Sequence, residues 1–256
     1  MDRRYEFTRT STTRIVIGSG VEGMLPQLVR ELEPDGVVVL HDASLPELAG
    51  RIARALGTIR QPHVIAGDVD WLQRLPDELY REGLVELVKK AAVLDAERFA
   101  RIEQLGKALA ARDPGALIEA IDMAVAMKMA IVQEDETDQG RRRALNFGHT
   151  VGHAIEGSAG GKLRHGTCVG LGMLIECRAA GVPADVQSRI AALLATLGLP
   201  KAIPPAFANA SSLWRMARSD KKVMKGNVPM IVPKALGECI EVELTEEALA
   251  RALREP

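Results

Sequence analysis

Two imidazoles four residues apart stand in Asn146-Phe147-Gly148-His149-Thr150-Val151-Gly152-His153-Ala154-Ile155-Glu156. On a helix, His149 and His153 share one face. Gly148 and Gly152 beside them let another group approach closely. The spacing suits a metal pair, and it also suits two histidines in a polar helix contact. A third imidazole, His165, opens His165-Gly166-Thr167-Cys168-Val169 ahead of an apolar helix. Glu86 and Lys89 lie three apart in Gly83–Leu94, a helix apolar on several faces and so expected in or near the core. A buried carboxylate needs a cation or a metal to stay charged; a Glu86–Lys89 ion pair on an exposed stripe is the plainer reading. Lys128 continues the stripe Ile121, Val125, Val132, either snorkelling or held for an anionic ligand.

Two further stretches look like phosphate sites. Gly157-Ser158-Ala159-Gly160-Gly161 lacks the Lys-Ser/Thr ending of a P-loop and reads as a turn. Gly18-Ser19-Gly20-Val21-Glu22-Gly23 follows a strand and opens a helix, with Asp42 ending the next strand, which on pattern is a dinucleotide fingerprint. It is short, and its sheet is too short to form the usual crevice.

The elements that must position these groups fall into two parts. In residues 1–57, Arg14–Ile17 and Val37–Leu40 read as strands, and Gly20–Leu32 and Leu45–Leu56 as helices. His63–Ala66 is one more strand. From Pro76 helices dominate. Pro76 suits a first helical position, with Asp77 and Glu78 in the first turn. Asp95 caps a helix to about Ala111, and Pro114 starts another with Leu117, Ile118, Ile121, Val125, Met129 and Val132 on one side. Helices follow over Asn146–Glu156, Val169–Ala180 and Pro183–Leu197. Val228–Val232 and Cys239–Leu244 form a hairpin around Gly237, and Thr245 caps a last helix. The expected fold class is α/β plus α: a small truncated α/β part (1–68) packed on a mostly helical domain (69–256).

Composition narrows the function. The 256 residues are 47% hydrophobic, enough for a core, and 33 basic against 34 acidic residues offer no electrostatic case for nucleic acid or an anionic membrane. The Arg141-Arg142-Arg143 run is at most a local anion site. Three cysteines without disulfide or zinc-ribbon spacing, no leader pattern and no bilayer-length apolar run make the cytoplasm the expected location.

The ordered set Gly-Leu-x-Glu86-x-x-Lys89, Lys128, Asp135-Glu136-x-x-x-Gly140-x-Arg142-x-x-Leu145-Asn146-Phe147-Gly148-His149-Thr150, Gly152-His153-Ala154-x-Glu156, His165-Gly166 and Asp220-Lys221-Lys222 resembles dehydroquinate synthase, of the sugar phosphate cyclases. The likeness runs from about Gln61 to the C-terminus. It implies that Glu86, His149 and His165 hold zinc or another divalent metal. It implies a proton-transfer role for His153, and contacts to a small anionic substrate for Lys89, Lys128, Arg142, Asn146 and the Lys221-Lys222 pair. Thr167 stands where the family usually has glutamate. The likeness also implies a homodimer.

Between Gly57 and Ile59-Arg60-Gln61-Pro62 the family's NAD-binding motifs are not found. The resemblance therefore implies chemistry without NAD: a lyase or cyclase using a carbonyl already present in its substrate. The alternative is a non-catalytic subunit paired with a full-length homologue.

Overall fold

The structure is a computed structural model. It describes residues 1–7, 11–24, 27, 31, 64–135, 140–220 and 228–254. The strands and helices expected at Val37–Leu40 and Leu45–Leu56 lie outside these, as do Lys221 and Lys222. The chain divides into two compact units, Met1–Asp70 and Trp71–Pro256.

The first unit holds a three-stranded sheet in the order β1 (Asp2–Phe7), β2 (Ser11–Gly18), β3 (Val64–Asp68). β1 pairs antiparallel with β2, Asp2 opposite Val16, and β2 runs parallel to β3, Arg14 opposite Val64. β1 was not anticipated, because Asp2-Arg3-Arg4-Tyr5-Glu6-Phe7 carries four charges in six residues and little apolar signal. Arg14 clamps it, donating to Asp2 and, on its other side, to Glu31. Ile15, Val16 and Ile17 are buried. Of the helix expected over Gly20–Leu32, the described residues show a 3-10 turn, Val21–Met24, and helical positions at Gln27 and Glu31.

The second unit is mostly helical. The short α1 (Val69–Gln73) spans the boundary, and α2 (Asp77–Leu94), α3 (Ala96–Ala110) and α4 (Pro114–Glu134) follow. Pro76 is the N-cap of α2 rather than its first helical residue, one position earlier than expected. Asp95 ends α2 and caps α3, its Oδ1 accepting from Arg98 N at 2.9 Å. Asp113 does the same for α4, accepting from Ala116 N at 2.8 Å, with Pro114 in the first turn.

α4 buries Leu117, Ala120, Met123, Met127 and Ile131, and leaves Ile121, Val125 and Met129 half-exposed. Of the expected stripe Leu117 and Val132 are buried and the rest is not: the helix is apolar nearly all round, and packing against α2 and α3 chose the face. Arg112 takes the left-handed conformation (φ 60°) just before α4. It is held there because its guanidinium donates to the carbonyls of Gln73 and Leu75 and to Asp77, each at 2.7 Å, and lies 4.5 Å over the Tyr80 ring.

Next come a 3-10 turn (Arg141–Asn146), α5 (His149–Ala159), α6 (His165–Ala180), α7 (Ala184–Thr196) and α8 (Ala210–Asp220). Helix α5 starts at His149, not Asn146, since Gly148 sits at φ 78° and breaks the chain direction. His165 belongs to the first turn of α6 rather than preceding it. α6 is the core helix, with Cys168, Val169, Met173, Ile175 and Cys177 almost fully buried.

β4 (Val228–Ala235) and β5 (Glu238–Leu244) form the antiparallel hairpin, Val228 opposite Leu244. Its turn hooks onto the α2–α3 junction, Gly237 N donating to Ala92 O at 2.9 Å. Thr245 caps α9 (Glu246–Arg254), its Oγ1 accepting from Ala248 N at 3.1 Å. Among the described residues no helix is long and apolar enough to cross a membrane.

Candidate metal centre

Three elements of the second unit converge. α5 carries His149 and His153 one turn apart, α6 begins with His165, and α2 brings Glu86, Lys89 and Lys90. α5 and α6 touch backbone to backbone. A Cβ on Gly172 would lie 2.1 Å from Gly148 O, and one on Gly152 would meet Cys168 O at 3.1 Å. Only glycine at these places brings the helices so close. The ring centroids of His149, His153 and His165 are consequently 5.2–5.7 Å apart. Among the described residues, these three form the one group of metal-capable side chains whose ligand atoms all lie within 4.8 Å of one another.

Two of the rings are oriented from behind. His149 Nδ1 lies 3.2 Å from Phe147 O. A carbonyl only accepts, so Nδ1 carries the proton and Nε2 keeps its lone pair. That Nε2 is 3.9 Å from Glu86 Oε1. Burial, with the Lys89 charge adding to it, pushes the His149 pKa down to about 4, against a smaller opposing pull from Phe147 O and Glu86. The ring is therefore neutral at neutral pH, the form a metal requires. His165 Nδ1 meets Glu156 Oε2 at 2.9 Å, the carboxylate–histidine pairing that orients metal ligands.

Glu86 is drawn two ways. Burial acts to raise its pKa, but Lys89 and Lys90 outweigh this and hold it below the ordinary carboxylate value. Lys89 Nζ donates to Glu86 Oε1 at 2.8 Å, and Lys90 Nζ is 3.7 Å from Oε2. The ion pair read from the sequence exists, but not on an exposed stripe: Lys89 is 3% exposed. Burial pulls the pKa of both lysines down, with Glu86 opposing. Lys128, exposed on α4, adds a third positive charge felt by both. Glu86, with a weaker pull from Glu176 on Lys89, does not balance the three lysines, which leaves a local surplus of positive charge suited to an anion.

Arg142 is half-buried in the 3-10 turn, its backbone N on Asp135 Oδ2 at 3.1 Å, and Asn146 ends that turn exposed. Two carboxylates carry functions the sequence reading did not assign. Glu156 orients His165. Glu176 is fully buried in α6 and accepts from Gly148 N at 2.7 Å and Val151 N at 2.8 Å. A signal existed for the second: it is the lone charge within Cys168–Cys177 of an apolar helix.

The donor set fits a borderline divalent cation such as zinc: imidazoles, among them His149 with an unprotonated Nε2, beside an ionised carboxylate. In the first unit, the amide of Gly20, which a dinucleotide phosphate would need, donates to Asp70 Oδ2 at 3.2 Å.

The family model for the 3-dehydroquinate synthase C-terminal domain matches residues 83–223, a span that holds every residue singled out above on α2, α4, α5 and α6. A 3-dehydroquinate synthase of Dehalococcoides mccartyi is 30% identical over 254 residues, covering 93% of this chain and 70% of its own. The chain belongs to the 3-dehydroquinate synthase family. The 3-dehydroquinate synthase of Saccharophagus degradans is 37% identical over 204 residues, which are 77% of this chain and 56% of that one, so the chain spans little more than half of that relative. Among solved structures, 2-epi-5-epi-valiolone synthase from Streptomyces hygroscopicus, with NAD+ and Zn2+ bound, superposes with a TM-score of 0.67 at 26% identity over 77% of this chain and 56% of that one. A 2-deoxy-scyllo-inosose synthase gives 0.76 at 16% identity, with 99% of each chain covered, a likeness of fold alone. The mostly helical build with a small sheet part is that of these cyclases.

Proposed function

We propose that this member of the 3-dehydroquinate synthase family is a metal-dependent lyase or cyclase acting on a small oxygenated anion, with zinc held by Glu86, His149 and His165. The observation that carries it is the meeting of three histidines, one of them held neutral, beside an ionised carboxylate and a buried lysine. The bound metal would polarise a substrate carbonyl.

The remaining work falls to side chains. His153, within 5.7 Å of both other rings, is placed to take a proton from the carbon next to that carbonyl. The electron pair of that C–H bond then expels an oxygen leaving group from the neighbouring carbon, which departs with the electrons of its own bond. Lys89, Lys128 and Arg142 supply positive charge to hold the departing anion, and Asn146 a hydroxyl contact. In this reading Lys221 and Lys222 add a further anion contact, and the protein works as a homodimer.

The reading places no hydride transfer to NAD. Its support is the Gly20 amide, already engaged by Asp70, together with the sequence passing from Gly57 to Gln61 without nucleotide motifs. Titration calorimetry with NAD+ decides this part: measurable binding would replace it with the redox chemistry of a complete synthase.

The deciding experiment compares metal content in wild type, Glu86→Ala/His165→Ala and His153→Ala. The expected result is about one zinc per wild-type chain, none in the double variant, and retained zinc without turnover in His153→Ala. Loss of zinc in His153→Ala would instead make the three histidines the ligand set. A wild type that takes up no metal when zinc is supplied would overturn the proposal.

A further inference from the structure

Helix α5 has an unusual N-terminus. Its N-cap, Gly148, has no side chain, and cannot have one: a Cβ there would lie 2.5 Å from Met173 Cγ and 2.8 Å from Val169 O. The normal cap of a helix uses the N-cap side chain to accept from the third residue's N–H, while a Glu at that third position reaches back to the N-cap N–H. Here the third residue is Val151, which can do neither. Yet both amides are satisfied. Glu176 Oε2 accepts from Gly148 N and Oε1 from Val151 N. One carboxylate from the neighbouring helix performs both halves of a capping box.

We infer that Glu176 is the positioning residue of the histidine cluster, setting how α5 sits on α6 and hence where His149 and His153 stand relative to His165. Three observations carry this. His149 is the first residue of the helix that Glu176 caps, so the cap fixes the backbone from which the ring projects. Glu176 belongs to α6, the helix that begins with His165, so one side chain ties the two metal-bearing helices in a single register. The glycine contacts at 148, 152 and 172 bring the helices close but give no directional bond; the paired hydrogen bonds that the fully buried carboxylate accepts from backbone amides do. A negative charge is also favoured there, at the positive end of the α5 dipole.

The inference rests on the metal-centre reading above. It is tested with Glu176→Gln, which keeps the shape but not the charge or both acceptors, and with Glu176→Asp, which keeps the charge but shortens the reach. Co2+ is titrated and followed by its visible absorption. Amide exchange is read over Phe147–Ile155 in the metal-free protein. Ile102→Ala, a core truncation in α3, controls for general loss of stability.

In both Glu176 variants Co2+ affinity should fall at least about tenfold, the range for losing a supporting partner of a metal ligand, with an altered absorption band. Exchange of the first-turn amides of α5 should quicken at least about tenfold, as expected of an uncapped helix end. Ile102→Ala should hold Co2+ as wild type does. Wild-type affinity and exchange in both Glu176 variants would overturn the inference alone, as would an Ile102→Ala protein that loses Co2+ equally. A wild type that binds no Co2+ would overturn the metal centre and this inference with it.

Discussion

The two sides of the candidate site are built by opposite means. On the histidine side, α5 and α6 meet backbone to backbone, two of the rings have a partner behind them, Phe147 O for His149 and Glu156 for His165, and Glu176 holds the helix end. On the lysine side, Lys89 and Lys90 pair with one carboxylate, Lys128 adds a further positive charge felt by both lysines, and these charges are balanced only in part. The first side is held by close packing and directional bonds, the second by charge. A metal needs ligand atoms placed within a few tenths of an ångström. An anion tolerates more latitude, since charge attraction falls off slowly with distance.

The sharpest way to break the close-packed side is Gly172→Ala. A methyl 2.1 Å from Gly148 O must drive the two helices apart. Overpacking of a tight core costs about 1–3 kcal/mol and more when backbone blocks relief, so a loss of about 3 kcal/mol or more is expected in denaturant unfolding, together with loss of zinc.

Lys89→Met probes the other side. Turnover should fall by two orders of magnitude or more, as for removal of a transition-state charge partner. Zinc should be kept or bound more tightly, because Lys89 then no longer competes for Glu86; weaker zinc binding would contradict the division of labour.

Acid should separate the sides too. The pKa of His149 is lowered in the folded protein, so between 6.5 and about 4 the unfolded chain takes up a proton that the folded chain refuses. Stability of the metal-free protein must therefore fall as pH drops through that window, by at most about 1.4 kcal/mol per pH unit for this group. Melting curves in chelator should show the slope, and His149→Phe should flatten it.

The smallest effect is expected at Arg143→Ala, which removes an exposed ion pair to Glu241: under about 1 kcal/mol by thermal melting, with zinc unchanged.

What the sequence displayed and what it hid follow the same division. Local chemistry was legible. Asp95 and Thr245 were readable as caps, and the hairpin from two strands flanking the turn at Gly237. The site residues could be picked out because their types and order are specific. Contacts made across helices were not legible. Nothing near Gly148 in the chain announces that its amide ends on a residue 28 positions later. The buried face of α4 was legible only at Leu117 and Val132 for the same reason, since an all-round apolar helix takes its orientation from its neighbours. Arg112 gave no sign of a left-handed backbone, which its four partners impose from α1, α2 and the segment between them.

Arg112 has one more consequence. The chain entering the helical unit passes through Leu72–Asp77, and Arg112 grips it at two carbonyls and one carboxylate. Any pull arriving from upstream meets these bonds before it can reach the first turn of α2, and so before it can shift Glu86 and Lys89 further along that helix. Arg112 works like the clamp on a cable, taking the tension so that the connection behind it stays still.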